Sequence, residues 1–184
     1  MQLSHLVPAC ALLAFAVSGT EAHGFDVPAD YPSHHAVGGC HQQHLSEMQR
    51  ELGVRLDDYN HVRLDVAQML RDVVRDYHLT GDERTRLLGF ADNFDSMAAH
   101  LPAPDPDSSE FRNFDFQVGI SFASVAVHLN ENQALADRFR ADQREPSSAV
   151  GRYMARLNAS KEAYFSTLEH FRADSATAAA TGCS

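Results

Sequence analysis

Histidine is the residue type through which this chain could do chemistry. The sequence holds eleven of them, and five fall within a short N-terminal stretch: His23, His34, His35, His41 and His44. Neutral imidazole binds zinc, copper and nickel, so a cluster of this kind points to a transition-metal site. His41 and His44 are three residues apart where a long helical pattern begins, a spacing that puts both on one helical face. Cys40 precedes His41 directly. His100 and His170 stand near the ends of two later helical patterns. The expected ligand set is therefore His41 and His44, with His34, His35, His100, His170 and His23 as further members. The competing explanation for His100 and His170 is ordinary: a histidine near a helix C-terminus interacts favourably with the helix dipole.

What exposes His23 is the segment before it. Leu6 to Val17 is an apolar run of about a dozen residues, too short to span a bilayer, which needs about 20. It leads into Thr20-Glu21-Ala22, a small-x-small cleavage pattern. Residues 1–22 are thus expected to be a signal peptide cut after Ala22, and the product to be periplasmic or secreted. An N-terminal histidine presents an amine and an imidazole together, a compact copper chelate. That start resembles histidine-brace copper proteins. The resemblance rests on His23 alone; it implies copper, and it does not extend to the β-sandwich core of those proteins.

Export also governs the cysteines. Cys10 leaves with the signal, so Cys40 and Cys183 form the one possible pair. An oxidising compartment favours their disulfide. Closing most of the chain into one loop would contribute up to about 5 kcal/mol. The alternative is two free thiols, one of them ligating metal beside His41.

The elements that must position these residues read as helices. Residues 23–39, with Pro28, Pro32 and Gly38-Gly39, form an irregular arm. From Leu45 to Tyr77 apolar residues recur in steps of three and four, the stripe of an amphipathic helix. Gly53 or Asn60 is the expected bend. Thr80 and Glu83 make a capping-box pattern before a second helix through Leu87, Phe94 and Leu101, which Pro102 and Pro104 stop. Asp107 or Ser108 can cap a third helix through Phe111, Phe114, Val118, Phe122, Val125 and Leu129, continuing to Leu135 and Phe139. Gly119 within it would permit close packing. Glu145-Pro146 ends that helix and opens a fourth through Val150, Met154, Leu157, Tyr164, Leu168 and Phe171. No segment alternates as a strand does.

Four such stripes with short connections predict an all-α fold, an antiparallel up-down-up-down four-helix bundle with an irregular N-terminal arm; the alternative is an irregular helical fold of five or six shorter helices. The domain organisation is 1–22 signal peptide, 23–39 arm, 40–173 bundle and 174–184 mobile tail tethered by Cys183. In that topology the start of the first helix lies beside the ends of the second and fourth. His41, His44, His100 and His170 would then gather at one pole, together with Cys40 and Cys183.

Other chemistries have less behind them. Met48 and His170 could serve as axial haem ligands in a layout that looks like b-type cytochrome bundles, but Met48 is better suited to filling the core, and no Cys-x-x-Cys-His occurs. Glu-x-x-His, the inward ligand pair of di-iron bundles, is absent. So are Gly-x-Ser-x-Gly and any Gly-rich phosphate loop. Asp57-Asp58 and Asp105-Pro106-Asp107 do not make an EF-hand loop. Asn158-Ala159-Ser160 is a glycosylation sequon placed inside a helix. No catalytic constellation emerges. The net charge of −10 argues against nucleic acid and, after signal cleavage, against a membrane surface. It would suit a protein partner with a basic surface. The alternative to metal binding is accordingly an interaction module: an inhibitor, an immunity protein or a chaperone.

Overall fold

The computed structural model describes residues 42–105 and 107–180. All regular structure among them is helical, in six segments: α1 (Gln42–Leu64), α2 (Val66–Asp76), α3 (Gly81–Ala98), α4 (Ser109–Glu131), α5 (Gln133–Asp142) and α6 (Ala149–Ala180). The all-helical class is as the periodicity predicts. The expected signal peptide, the arm, Cys40 and Cys183 lie outside the described residues. None of the described helices is long and apolar enough to cross a membrane.

The breaks differ from those expected. The first helical stretch is interrupted at Asp65, not at Gly53 or Asn60. The interruption is one residue wide: the Asp65 N–H still donates to the His61 carbonyl at 3.0 Å, and the Asp65 carbonyl accepts from Met69 at 3.2 Å. Its carboxylate is held from α6 by Arg156 at 2.5 Å. The third stretch breaks at Asn132, whose extended backbone (φ −120°, ψ 101°) ends α4 and whose side chain caps α5 by accepting from the Leu135 N–H at 3.2 Å. Asparagine suits that position because its short amide competes with helical hydrogen bonds.

Capping is similarly mixed. Ser108 caps α4, accepting from the Phe111 N–H at 3.0 Å. Thr80 stands at the N-cap of α3 without a side-chain cap bond. Glu83 does not complete a capping box, because Asn132 of the next break donates to its carboxylate. Pro146 does not open the last helix. It sits in a tight turn closed by the Ser148 N–H on the Glu145 carbonyl at 3.0 Å, a position proline's fixed φ suits. Ser148 then caps α6, accepting from the Gly151 N–H at 2.8 Å. A Cβ at Gly151 would collide with the Glu145 carbonyl, so the turn folds onto a position that only glycine can occupy. The chain read as a tail from Asp174 is helical through Ala180.

The first apolar stripe stops at Tyr77, as its spacing predicts, and the cap that stops it is an unusual one. α2 ends with His78 in the left-handed region (φ 55°). The His78 N–H bonds the Arg75 carbonyl and the Leu79 N–H reaches back to Val74, the two bonds of a Schellman cap, with histidine where glycine is usual.

Contacts between helices fix how several of them run. His44 meets Asp174, and the Tyr153 hydroxyl donates to the Arg63 carbonyl at 3.1 Å, so α1 and α6 run in opposite directions. Arg71 of α2 takes Asp92 and Asp95 of α3 at 2.8 and 2.6 Å. Asn93 of α3 donates to Ser121 of α4, and Arg86 pairs with Glu131. α5 folds back on α2, with Arg138 over the Tyr77 ring at 3.8 Å and Tyr77 donating to Asp142 at 2.7 Å. Burial, with the bond to Asp142, raises the Tyr77 pKa. The core centres on Phe94 and Phe122, whose ring centroids are 5.0 Å apart, with Leu70, Leu87, Val118 and Val150 fully enclosed around them.

Candidate functional site

The start of α1 lies against the end of α6. His44 Nε2 stands 3.0 Å from Asp174 Oδ2, with both side chains about half exposed (54% and 47%). His170 is exposed on α6, four residues before Asp174 and hence on the same helical face. Because α6 runs on to Ala180, His170 lies well inside the helix, and the dipole at a helix C-terminus does not explain it. One imidazole and one carboxylate at contact distance, with a second imidazole one turn away, offer nitrogen and oxygen donors of the kind zinc and copper accept.

His100 is not at this pole. It follows the end of α3, where its Nδ1 donates to the Ser96 carbonyl at 2.8 Å, covering a carbonyl that the helix end leaves unpaired. It also lines a surface groove of about 340 Å³ with Glu110, Asn113 and Phe114 of α4. Neighbouring Asp115 of α4 is bonded to Arg63, which places His100 near the far end of α1. About 28 Å of helix rise separates Arg63 from His44. The expected convergence of His100 with His44 and His170 therefore fails, for a reason of length. α3 has 18 residues against 34 in α1 and α2 together; it packs mainly along α2 and ends before reaching the start of α1.

His23, His34, His35 and His41, with Cys40 and Cys183, lie outside the described residues. Among the described residues no group of three His, Cys, Asp or Glu side chains stands close enough to hold a metal ion. Met48, the alternative haem ligand, is half-buried on α1. The sequon hydroxyl of Ser160 is buried and donates to the Leu157 carbonyl at 3.1 Å.

A second polar assembly went unnoticed in the sequence. Arg63 is 3% exposed. Its Nη1 donates to Asn60 Oδ1 at 3.2 Å and to Asp115 Oδ1 at 2.6 Å. Its guanidinium lies 5.2 Å from the centre of the Tyr59 ring, which stacks on Tyr164 at 5.9 Å. Among the described residues, Asn60 Nδ2 and Arg63 Nε have no hydrogen-bond acceptor. Burial raises the pKa values of Tyr59, Tyr153 and Tyr164, so these phenols stay neutral. The available signal was the position of Arg63: it follows Tyr59 by four residues and precedes Val66 by three, so a cation falls inside an apolar stripe. A buried cation must be paired, and the assembly does that. It has no nucleophile with an adjacent base.

Comparison with family models, with curated proteins and with solved structures gave no match.

Proposed function

We infer that this chain is an exported helical binding protein that holds a transition-metal ion, copper or zinc, at the pole where α1 begins and α6 ends. The reading takes the chain as an antiparallel up-down-up-down bundle, with α1–α2, α3, α4–α5 and α6 as its four limbs. The observation that carries it is the His44–Asp174 contact at 3.0 Å. That contact brings the first turn of α1, which His41 directly precedes in the sequence, beside the helical turn that bears His170. The ligand set is His44, His170 and Asp174, completed by His41 and the arm residues His34, His35 and His23. His100 is left out, since it stands at the other end of α1. A Cys40–Cys183 disulfide belongs to the same reading, because it would join the chain just before α1 to the chain just after α6. Haem is not favoured.

The test is elemental analysis of the mature chain, purified without a histidine tag, followed by titration with copper and zinc. One metal per chain is expected. His44→Ala and His170→Ala should each weaken binding about tenfold or more, in line with the loss of a ligand or its support. Affinity unchanged in a His41→Ala/His44→Ala double variant would sink the reading.

The second reading, a protein-interaction module, draws support from a different observation. Phe116, Ile120 and Val127 of α4 are 66%, 51% and 57% exposed. A basic partner steered by the acidic surface would not seat on that row, which carries no carboxylate between Asp115 and Glu131.

A further inference from the structure

The outer face of α4 points to a second copy of this chain as its partner. α4 carries two apolar stripes. The inner one, centred on Phe122, is buried against α3 and the core. The outer one, Phe116, Ile120, Ala123 and Val127, recurs in steps of four, three and four and is exposed throughout. Large apolar side chains in a contiguous exposed row mark an interaction surface more strongly than scattered ones. From Phe116 to Asn130 the helix holds no Asp, Glu, Lys or Arg, in a chain of net charge −10. Depletion of charge at the centre is what distinguishes interface cores from ordinary surface.

The row is also self-complementary. A two-fold interface requires residue i to meet residue j while j meets i. Laid antiparallel on a copy of itself, α4 satisfies this in one register. Phe116 faces Val127 of the other copy, Ile120 faces Ala123, and the small Ala123 and Ser124 let the helices approach at the centre. In that same register the exposed residues flanking the row match too: Asn113 faces Asn130, and Arg112 at one end faces Glu131 at the other. Arg112 and Glu131 are both exposed. Glu131 Oε2 already meets Arg86 at 3.0 Å and His128 Nδ1 at 3.4 Å, but the side chain is 57% exposed, with room for a further cation. A parallel arrangement would instead set Arg112 against Arg112 and Glu131 against Glu131. Two copies this acidic repel one another, and the uncharged row is where they can approach at least cost.

We propose that the chain forms a two-fold dimer through antiparallel α4 helices, with Phe116, Ile120, Ala123 and Val127 at the centre and an Arg112–Glu131 pair at each end. The proposal is independent of metal binding at the α1–α6 pole. One helix face gives an interface at the small end of the usual range, so the dimer should be a weak one that depends on concentration.

Sedimentation velocity of the mature chain over a hundredfold range of concentration tests it. The expected result is a monomer–dimer equilibrium that Ile120→Glu shifts at least tenfold toward monomer, with the helical circular dichroism signal unchanged because the side chain faces solvent. Arg112→Glu should weaken the dimer, and Arg112→Glu/Glu131→Arg should recover it. A chain that stays monomeric at every concentration, whatever other partner the row then serves, overturns the proposal. So does a dimer indifferent to Ile120→Glu, or a double variant no better than Arg112→Glu alone.

Discussion

At its start α1 lies along α6, with His44 and most of the residues before Leu52 open to solvent. At its end, from Leu56 to Leu64, the same helix is enclosed: Tyr59, Asn60, Val62, Arg63 and Leu64 are all buried. Apolar spacing is the same at both ends. The surroundings differ: at the far end Arg63 reaches Asp115 of α4, and Tyr153 of α6 reaches the Arg63 carbonyl. α6 repeats the contrast. Between Tyr164 and Ala178 none of its residues is fully buried. Stability should therefore reside at the far end of α1 and accessible chemistry at its start, as is usual where a rigid body carries a more open binding region.

The largest effect that can break this comparison comes from the core itself. Phe94→Ala removes a fully buried ring that packs on Phe122, and such truncations cost about 3–5 kcal/mol. Leu45→Ala, in the same pattern but half-buried at the open end, should cost less than about 1 kcal/mol on the usual burial scale. Urea unfolding of the two variants measures both. Equal losses would mean that the start of α1 is as tightly enclosed as its end.

These contrasts also show what the spacing of residues can and cannot say. Steps of three and four revealed which face of each helix is apolar, and all six segments are helical where that pattern runs. The same steps pass through Asp65 and Asn132 without a sign, because each break is one residue wide and is fixed by tertiary partners. Arg156 holds Asp65, and Asn132 is shared between the Leu135 N–H and Glu83. The second stripe on α4 was hidden for a related reason: a row of Phe, Ile and Val reads as core until a neighbour is found for it, and here the core is filled from the other side. At the pole, His44 was legible from its place in the first turn. Asp174 was not, because an Ala-, Ser- and Thr-rich segment carries no apolar stripe to mark it as helix.

A smaller effect sharpens the comparison at the buried end. Asp115→Ala leaves the Arg63 guanidinium, 4% exposed, without its carboxylate. The Asp115 side chain is itself 52% exposed, so water can replace part of what is lost. The expected cost is about 2 kcal/mol, the range for a hydrogen bond to a charged group. Asp115→Asn, which keeps an oxygen acceptor, should recover about half of it. Thermal unfolding of the pair of variants measures the difference. Both variants as stable as the parent would show that Asp115 matters little to the enclosed end, and equal losses in both would place the whole contribution on its charge.

The smallest stability effect belongs to His44 and Asp174. Both are about half exposed, and a polar contact of this kind at the surface contributes about 0–1 kcal/mol. His44→Ala should therefore leave urea unfolding of the metal-free chain almost unmoved. In the presence of copper or zinc the result should change, since an ion bound only by the folded chain stabilises it in proportion to the logarithm of its concentration over Kd. The parent chain should then unfold at higher urea and His44→Ala should not follow it. A metal-induced shift of equal size in both would detach the metal from this pole. A shift confined to the parent chain would show that the weakly packed end of α1 is the one that binds, where removing a side chain changes affinity and leaves the fold alone.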